Sequence, residues 1–209
     1  MPNFTDLAGL VSVASAIAAS LLLVPGITRL TKLRMVLLLG TTFVLSLVPF
    51  GTIPIAAYVR GITGDLSITT LTLLWSALLR PYCGCIAVES KHRLALLLMI
   101  VLGALALYPM ALGVGSFDPY RLGYGSSQFV AMLLLLALVA WFWKFTLIAL
   151  CVAFATIAWA VGWYESDNLW DYLLDPFVSI YALAAIVVYA VKAVAQRDRS
   201  HKSQPPLTG

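Results

Sequence analysis

Carboxylates and tyrosines recur together in three short stretches of this chain, two of which also carry an arginine. The first, 58–67, carries Tyr58, Arg60 and Asp65. The second, 116–127, carries Asp118, Tyr120, Arg121 and Tyr124. The third, 165–175, carries Glu165, Asp167, Trp170, Asp171 and Asp175. Each residue type brings a defined capability. Aromatic rings offer flat stacking surfaces, a guanidinium forks onto phosphate or carboxylate through two parallel hydrogen bonds, and carboxylates accept from hydroxyl groups. A substrate-binding site built from Tyr58, Arg60, Asp65, Asp118, Tyr120, Arg121, Tyr124, Asp167, Trp170 and Asp171 suits the polar part of a lipid-linked phosphate or sugar. Neighbouring carboxylates repel and raise one another's pKa unless a cation intervenes, so Arg60 and Arg121 are their natural partners. Asp167, Asp171 and Asp175 are spaced four apart, with Trp170, Leu173 and Leu174 near the opposite side. That spacing predicts a short amphipathic helix lying on a membrane surface. Asp175-Pro176 then reads as the cap and first residue of a following helix. A plainer account stays open: the stretches are acidic because basic residues are excluded from that side, and caps and interfacial aromatics explain the rest.

Other chemistries find no support. Both histidines, His92 and His201, lie outside the three stretches, which argues against a His-dependent phosphatase or Ser-His protease there. Gly113-Val114-Gly115-Ser116 lacks the pattern of a nucleophile elbow. No Walker loop or dinucleotide fingerprint is present. Cys83-Gly84-Cys85 with His92 is wrongly spaced and one ligand short for structural zinc, so neither metal nor cofactor is expected. Three cysteines in 209 residues also make no disulfide scaffold.

The elements that must position these residues are apolar. The chain is 62% hydrophobic and 11% charged, with a mean hydropathy of +0.97. A soluble domain carries roughly 45–50% apolar and about 25% charged residues, so a multi-spanning membrane protein is the expectation. Seven apolar segments approach the ~20 residues a crossing helix needs: 7–24, 35–59, 66–79, 94–114, 129–143, 145–163 and 177–194. The last two before the final one come from a single run, Phe129–Trp163, interrupted only by Lys144. One helix of that length would be about 52 Å long, too much to absorb by tilting, which predicts a break at Trp143-Lys144 although no Gly or Pro stands there. Paired prolines and glycines also interrupt the chain at Pro49, Gly51, Pro54, Pro109 and Gly113. Interrupted spans at matching places point to a ligand site, although Pro and Gly are also ordinary in membrane helices. Tyr58 with Gly61 and Tyr120 with Gly123 recur 62 residues apart, a faint suggestion of duplication.

Orientation follows from charge. With the N-terminus outside, every Lys and Arg falls inside except Arg60 and Arg121, and every Asp and Glu falls outside except Glu89 and Asp198. The basic bias is the positive-inside pattern. The overall charge of +4 is therefore an average over two faces and implies no nucleic-acid partner. Trp141 and Trp143 fit the inner interface, and Trp163, Tyr164 and Trp170 the outer one. The first span lacks the basic start and cleavage site of a signal peptide and is expected to be retained. Asn3-Phe4-Thr5 matches a glycosylation sequon but sits against the membrane. The expected fold is all-α: a polytopic integral membrane bundle of about seven helices over 1–196, with a disordered cytoplasmic tail over 197–209. An odd span count and a retained first helix suit a bacterial inner membrane. The expected partners are membrane lipid, a lipid-linked or anionic envelope substrate, and another membrane subunit or a second copy. The protein would act as accessory subunit or enzyme; an oligomeric carrier or channel component and a non-catalytic assembly partner are the alternatives, and the residues name no reaction.

Overall fold

The structure, a computed structural model, describes residues 4–79 and 90–202. Among these residues the protein is all-helical, with nine helices: α1 (Phe4–Ser20), α2 (Lys32–Leu47), α3 (Ile55–Thr63), α4 (Ile68–Leu79), α5 (Ser90–Ala111), α6 (Ser127–Phe142), α7 (Thr146–Ala160), α8 (Leu169–Leu173) and α9 (Pro176–Lys202). A two-stranded ribbon, β1 (Pro49–Phe50) and β2 (Ile53–Pro54), joins α2 to α3. Two helical stretches, Lys91–Ala111 and Pro176–Gln196, are long and apolar enough to cross a membrane by length and composition. Phe4–Ser20, Ile68–Leu79, Ser127–Phe142 and Thr146–Ala160 are shorter apolar helices.

The 35–59 segment is not one helix. Val48 precedes Pro49, and the pyrrolidine ring disfavours helical backbone in the residue before it. Val48 is accordingly extended (ψ 130°), α2 stops at Leu47, and the ribbon turns before α3 restarts. Pro109, by contrast, is accommodated in the last turn of α5. The Phe129–Trp163 run forms two helices around Lys144, whose φ is 62°. The turn is a Schellman motif: Lys144 N–H donates to the Trp141 carbonyl at 3.0 Å and Phe145 N–H to that of Ala140 at 2.8 Å. At the far end of the chain α9 continues to Lys202, so 197–202 is helical rather than disordered. Cys83, Gly84 and Cys85 lie outside the described residues.

Packing divides the helices into two groups. α1 lies against α2, α3 and α4, and buries Ala8, Gly9, Ser12, Ala14, Ser15 and Ala18 there. Small residues let backbones approach closely, and Val13, Met35, Leu39 and Leu78 fill the space beside them. α4 also meets α7, and α7 meets α6, α8 and α5. α9 runs against α5. The main core, with Leu96, Ile100, Phe129, Leu133, Ile148 and Val152, fills the space among α4 to α9. Three hydroxyls on the helices donate back to their own backbone: Ser12 to the Ala8 carbonyl, Ser15 to Val11 and Thr156 to Val152, each at 2.8 Å.

Candidate functional site

The three polar stretches meet at one end of the helices. Ser67, at the start of α4, donates its N–H to Asp175 Oδ2 at 2.8 Å. Tyr120 donates its hydroxyl to both oxygens of Asp171 at 3.0 Å. Ser12 on α1 and Tyr164 share a hydroxyl–hydroxyl bond of 3.0 Å. Phe4 sits edge-on to Trp163, with ring centres 5.2 Å apart.

Within the first stretch, Arg60 grips Asp65 with both arms of its fork, Nε to Oδ1 at 2.6 Å and Nη2 to Oδ2 at 3.0 Å. Its Nη1 reaches Asp6 Oδ1 on α1 at 3.1 Å. The two carboxylates hold the guanidinium in its charged form, raising its pKa against the opposing effect of burial. Gly9 makes room for the pair, since a Cβ there would come within 2.4 Å of Arg60 Nε and Asp65 Oδ1. Tyr58, on the same helix, is exposed.

The second and third stretches interlock. Asp118 Oδ1 accepts from Tyr120 N–H at 3.0 Å and caps the 3-10 turn Pro119–Gly123. Asn168 Oδ1 accepts from Trp170 N–H at 2.9 Å and starts α8, while its Nδ2 donates to the Tyr120 carbonyl at 3.0 Å. Trp170 donates its indole N–H to the Pro119 carbonyl at 2.9 Å and lays its ring on Phe129, with centres 4.6 Å apart. Ser166 donates its hydroxyl to Asp171. Burial and the Asp171 charge push the Tyr120 phenol well above its ordinary range. Burial likewise pushes Tyr164 up to about 12.

The amphipathic helix predicted over the acidic stretch does not form. Asn168 caps a helix of only five residues, and Leu174 is extended before Asp175-Pro176. Asp167 therefore precedes α8 and Asp175 follows it. Asp175 is 5% exposed and holds two elements together. Its Oδ1 accepts from Val178 N–H at 2.8 Å, capping α9, and its Oδ2 takes the Ser67 N–H and the Thr70 hydroxyl of α4. Leu169, Tyr172 and Leu173 are buried, so α8 packs inward.

The ten candidate residues thus separate into two kinds. Arg60, Asp65, Asp118, Tyr120, Trp170 and Asp171 are bonded within the protein and form its frame. Tyr58, Arg121, Tyr124 and Asp167 are exposed, and the Arg121 guanidinium bonds to no described residue. Tyr124 stands edge-on to Tyr120 at 5.8 Å. Beside it lies an open depression of about 540 Å³, lined by Tyr124, Trp159, Gly162, Ser166 and Asp167 among others. Trp159 is held there by its indole N–H on the Asp167 carbonyl at 2.8 Å. Ser166, Asn168 and Trp159 escaped the sequence reading. Ser166-x-Asn168 ahead of an apolar run is the one available signal, a helix start. Tyr58 and Gly61 sit in a helix, whereas Tyr120 and Gly123 sit in a 3-10 turn, so the recurrent pair has no common local structure. Among the described residues no group of three or more His, Cys, Asp or Glu side chains is placed to hold a metal ion. No protein-family model, curated protein or solved structure matches the chain.

Proposed function

We propose that this is a seven-span membrane protein of a bacterial inner membrane, N-terminus outside and C-terminus inside. Its framed polar end takes the headgroup of a lipid-linked envelope substrate, as accessory subunit or enzyme. Support for the membrane comes from where apolar surface lies. Only 28% of the apolar stretch in α5 and 17% of that in α9 is buried. Large side chains such as Leu102, Leu105, Ile180 and Val191 face outward, an arrangement water disfavours over so wide an area. α2 with α3 counts as one crossing in this reading, broken at the ribbon, which makes seven with α1, α4, α5, α6, α7 and α9.

The observation that carries the functional reading is the depression beside Tyr124. It offers two aromatic rings and the exposed Asp167, on a frame fastened by internal bonds that include the Ser166 hydroxyl on Asp171. Rings with an adjacent carboxylate are the chemistry that holds a sugar: stacking on its apolar face, acceptance from its hydroxyls. Its volume falls in the range of small-molecule sites, roughly 300–1,000 Å³. Arg60 belongs to the frame, so any phosphate falls to Arg121.

The test uses the full chain purified in detergent, with a polyprenyl phosphosugar and the bare polyprenyl phosphate as probes. The phosphosugar is expected to raise the melting temperature, and Tyr124→Ala or Asp167→Asn to abolish the rise while leaving the unliganded protein as stable as before. Consumption of the probe would make the protein an enzyme, and binding without turnover an accessory subunit. No rise with either probe, or a rise indifferent to both substitutions, contradicts the reading. Flux through liposomes holding only this protein would replace it with a carrier.

A further inference from the structure

At the opposite end of the helices the α6–α7 turn carries a different combination. Trp141, Phe142, Trp143 and Lys144 follow one another and all are exposed. They reach that position because α6 is stopped by Lys144 in left-handed backbone, the conformation glycine normally supplies. Trp141, Phe142, Lys144 and Thr146 line a second depression of about 330 Å³. The Thr146 hydroxyl lies 3.4 Å from the Lys144 carbonyl. Phe145 meets His92, near the start of α5, with ring centres 4.9 Å apart, and Lys91 beside His92 is exposed. No Asp or Glu occurs in α5, in α6, in α7 or in the turn.

An apolar track leads away from the depression along α6. Leu135, Leu138 and Phe142 are spaced by three and four residues, on one face of the helix, and are 62%, 57% and 79% exposed. A cationic pocket that opens onto an exposed aliphatic track matches one kind of molecule, with an anionic head joined to a long hydrocarbon tail.

We infer that the α6–α7 turn is a binding site for an anionic phospholipid of the surrounding leaflet. Lys144 takes the phosphate, Trp141 sits at headgroup depth, and an acyl chain lies along Leu138 and Leu135. The inference rests on the membrane reading above and extends it from a general lipid environment to one selective site. Charge complementarity favours the anionic headgroup over a zwitterionic one. The ammonium is the positive charge of the depression, and no carboxylate from α5, α6, α7 or the turn competes for it.

The test takes the full chain in detergent and reads its melting temperature with added phosphatidylglycerol or phosphatidylcholine. Phosphatidylglycerol is expected to raise it by several degrees and phosphatidylcholine by clearly less. Lys144→Gly is the informative variant, because glycine suits the left-handed position and the lipid-free protein remains folded. It is expected to lose the difference between the two lipids, and Lys144→Arg to keep it. Equal shifts with both lipids in the wild type, or an undiminished difference in Lys144→Gly, would overturn the site. Resistance to carbonate extraction, measured on the membranes before solubilisation, separates the two levels. A retained protein without lipid selectivity loses only this site, whereas an extracted protein loses the membrane reading as well.

Discussion

Lys144 and Gly162 hold the same position in the same helix-ending motif, at opposite ends of α7. Gly162 N–H donates to the Trp159 carbonyl at 3.0 Å and Trp163 N–H to that of Ala158 at 2.9 Å, the pattern seen around Lys144. Glycine enters the left-handed region freely, whereas another residue is disfavoured there by about 1–2 kcal/mol. Lys144→Gly should therefore raise the lipid-free melting temperature, by an amount equivalent to about 1 kcal/mol; a lower value would contradict the backbone assignment. Gly123 is the reverse case. A Cβ there would lie 1.7 Å from Asn168 Oδ1. Asn168 is fully buried and bonded on both sides of its amide, so it has nowhere to move. Gly123→Ala is expected to destabilise by about 2 kcal/mol, in the range of overpacked sites, and a neutral melting curve would show the two loops lie farther apart. Neither fact is legible along the chain. The need for glycine at 123 comes from a residue 45 positions away, and the turn at Lys144 lacks the usual residue. Length alone predicts the break there, because so long an apolar run exceeds one crossing.

At the scale of elements, Asp175 is the joint that matters most. It caps α9 and takes two donors from the start of α4. Asp175→Ala removes a cap, worth about 1 kcal/mol, and leaves two further donors without their acceptor at about 1 kcal/mol each or more. The expected loss is about 3 kcal/mol, read by denaturation in detergent; a loss below 1 kcal/mol would mean water replaces the carboxylate. The Arg60–Asp65 pair should matter less. Its side chains are 18% and 25% exposed, so Arg60→Ala is expected to cost about 1–2 kcal/mol, between surface and buried pairs. The Asp175-Pro176 cap was readable from two adjacent residues, because capping is local chemistry. Its second function, and the gripping of Arg60 by Asp6, were not, since both join segments distant in sequence. The amphipathic helix failed as a reading for a related reason. The acids are spaced four apart, but the helix runs only from Leu169 to Leu173 and leaves Asp167 and Asp175 outside it, and the buried Tyr172 decides which way it faces.

At the scale of the whole molecule, two phenols at the polar end, Tyr120 and Tyr164, are hydrogen-bonded to other segments of the chain. Tyr120 and Tyr164 are both raised above the ordinary value of 10.0. Above that pH the unfolded chain ionises before the folded one, so stability should be level below it and fall as the pH rises beyond. Tyr120→Phe should start from a lower melting temperature and show a shallower alkaline fall; an unchanged slope would show that Tyr120 is not buried against Asp171. The same end gathers the three polar stretches, and the opposite end carries the basic, tryptophan-rich turn. Charge bias and helix alternation made that division visible in the sequence, since both are sums over many residues. Which residues serve as frame and which remain accessible depended on individual contacts. In the proposed topology the three polar stretches share the outer face. Reporter fusions at Thr63, Tyr124, Lys144, Asn168 and the C-terminus test it most directly. Outside signals are expected from Thr63, Tyr124 and Asn168, and inside signals from Lys144 and the C-terminus. An outside signal at Lys144, or an inside one at Asn168, would contradict it.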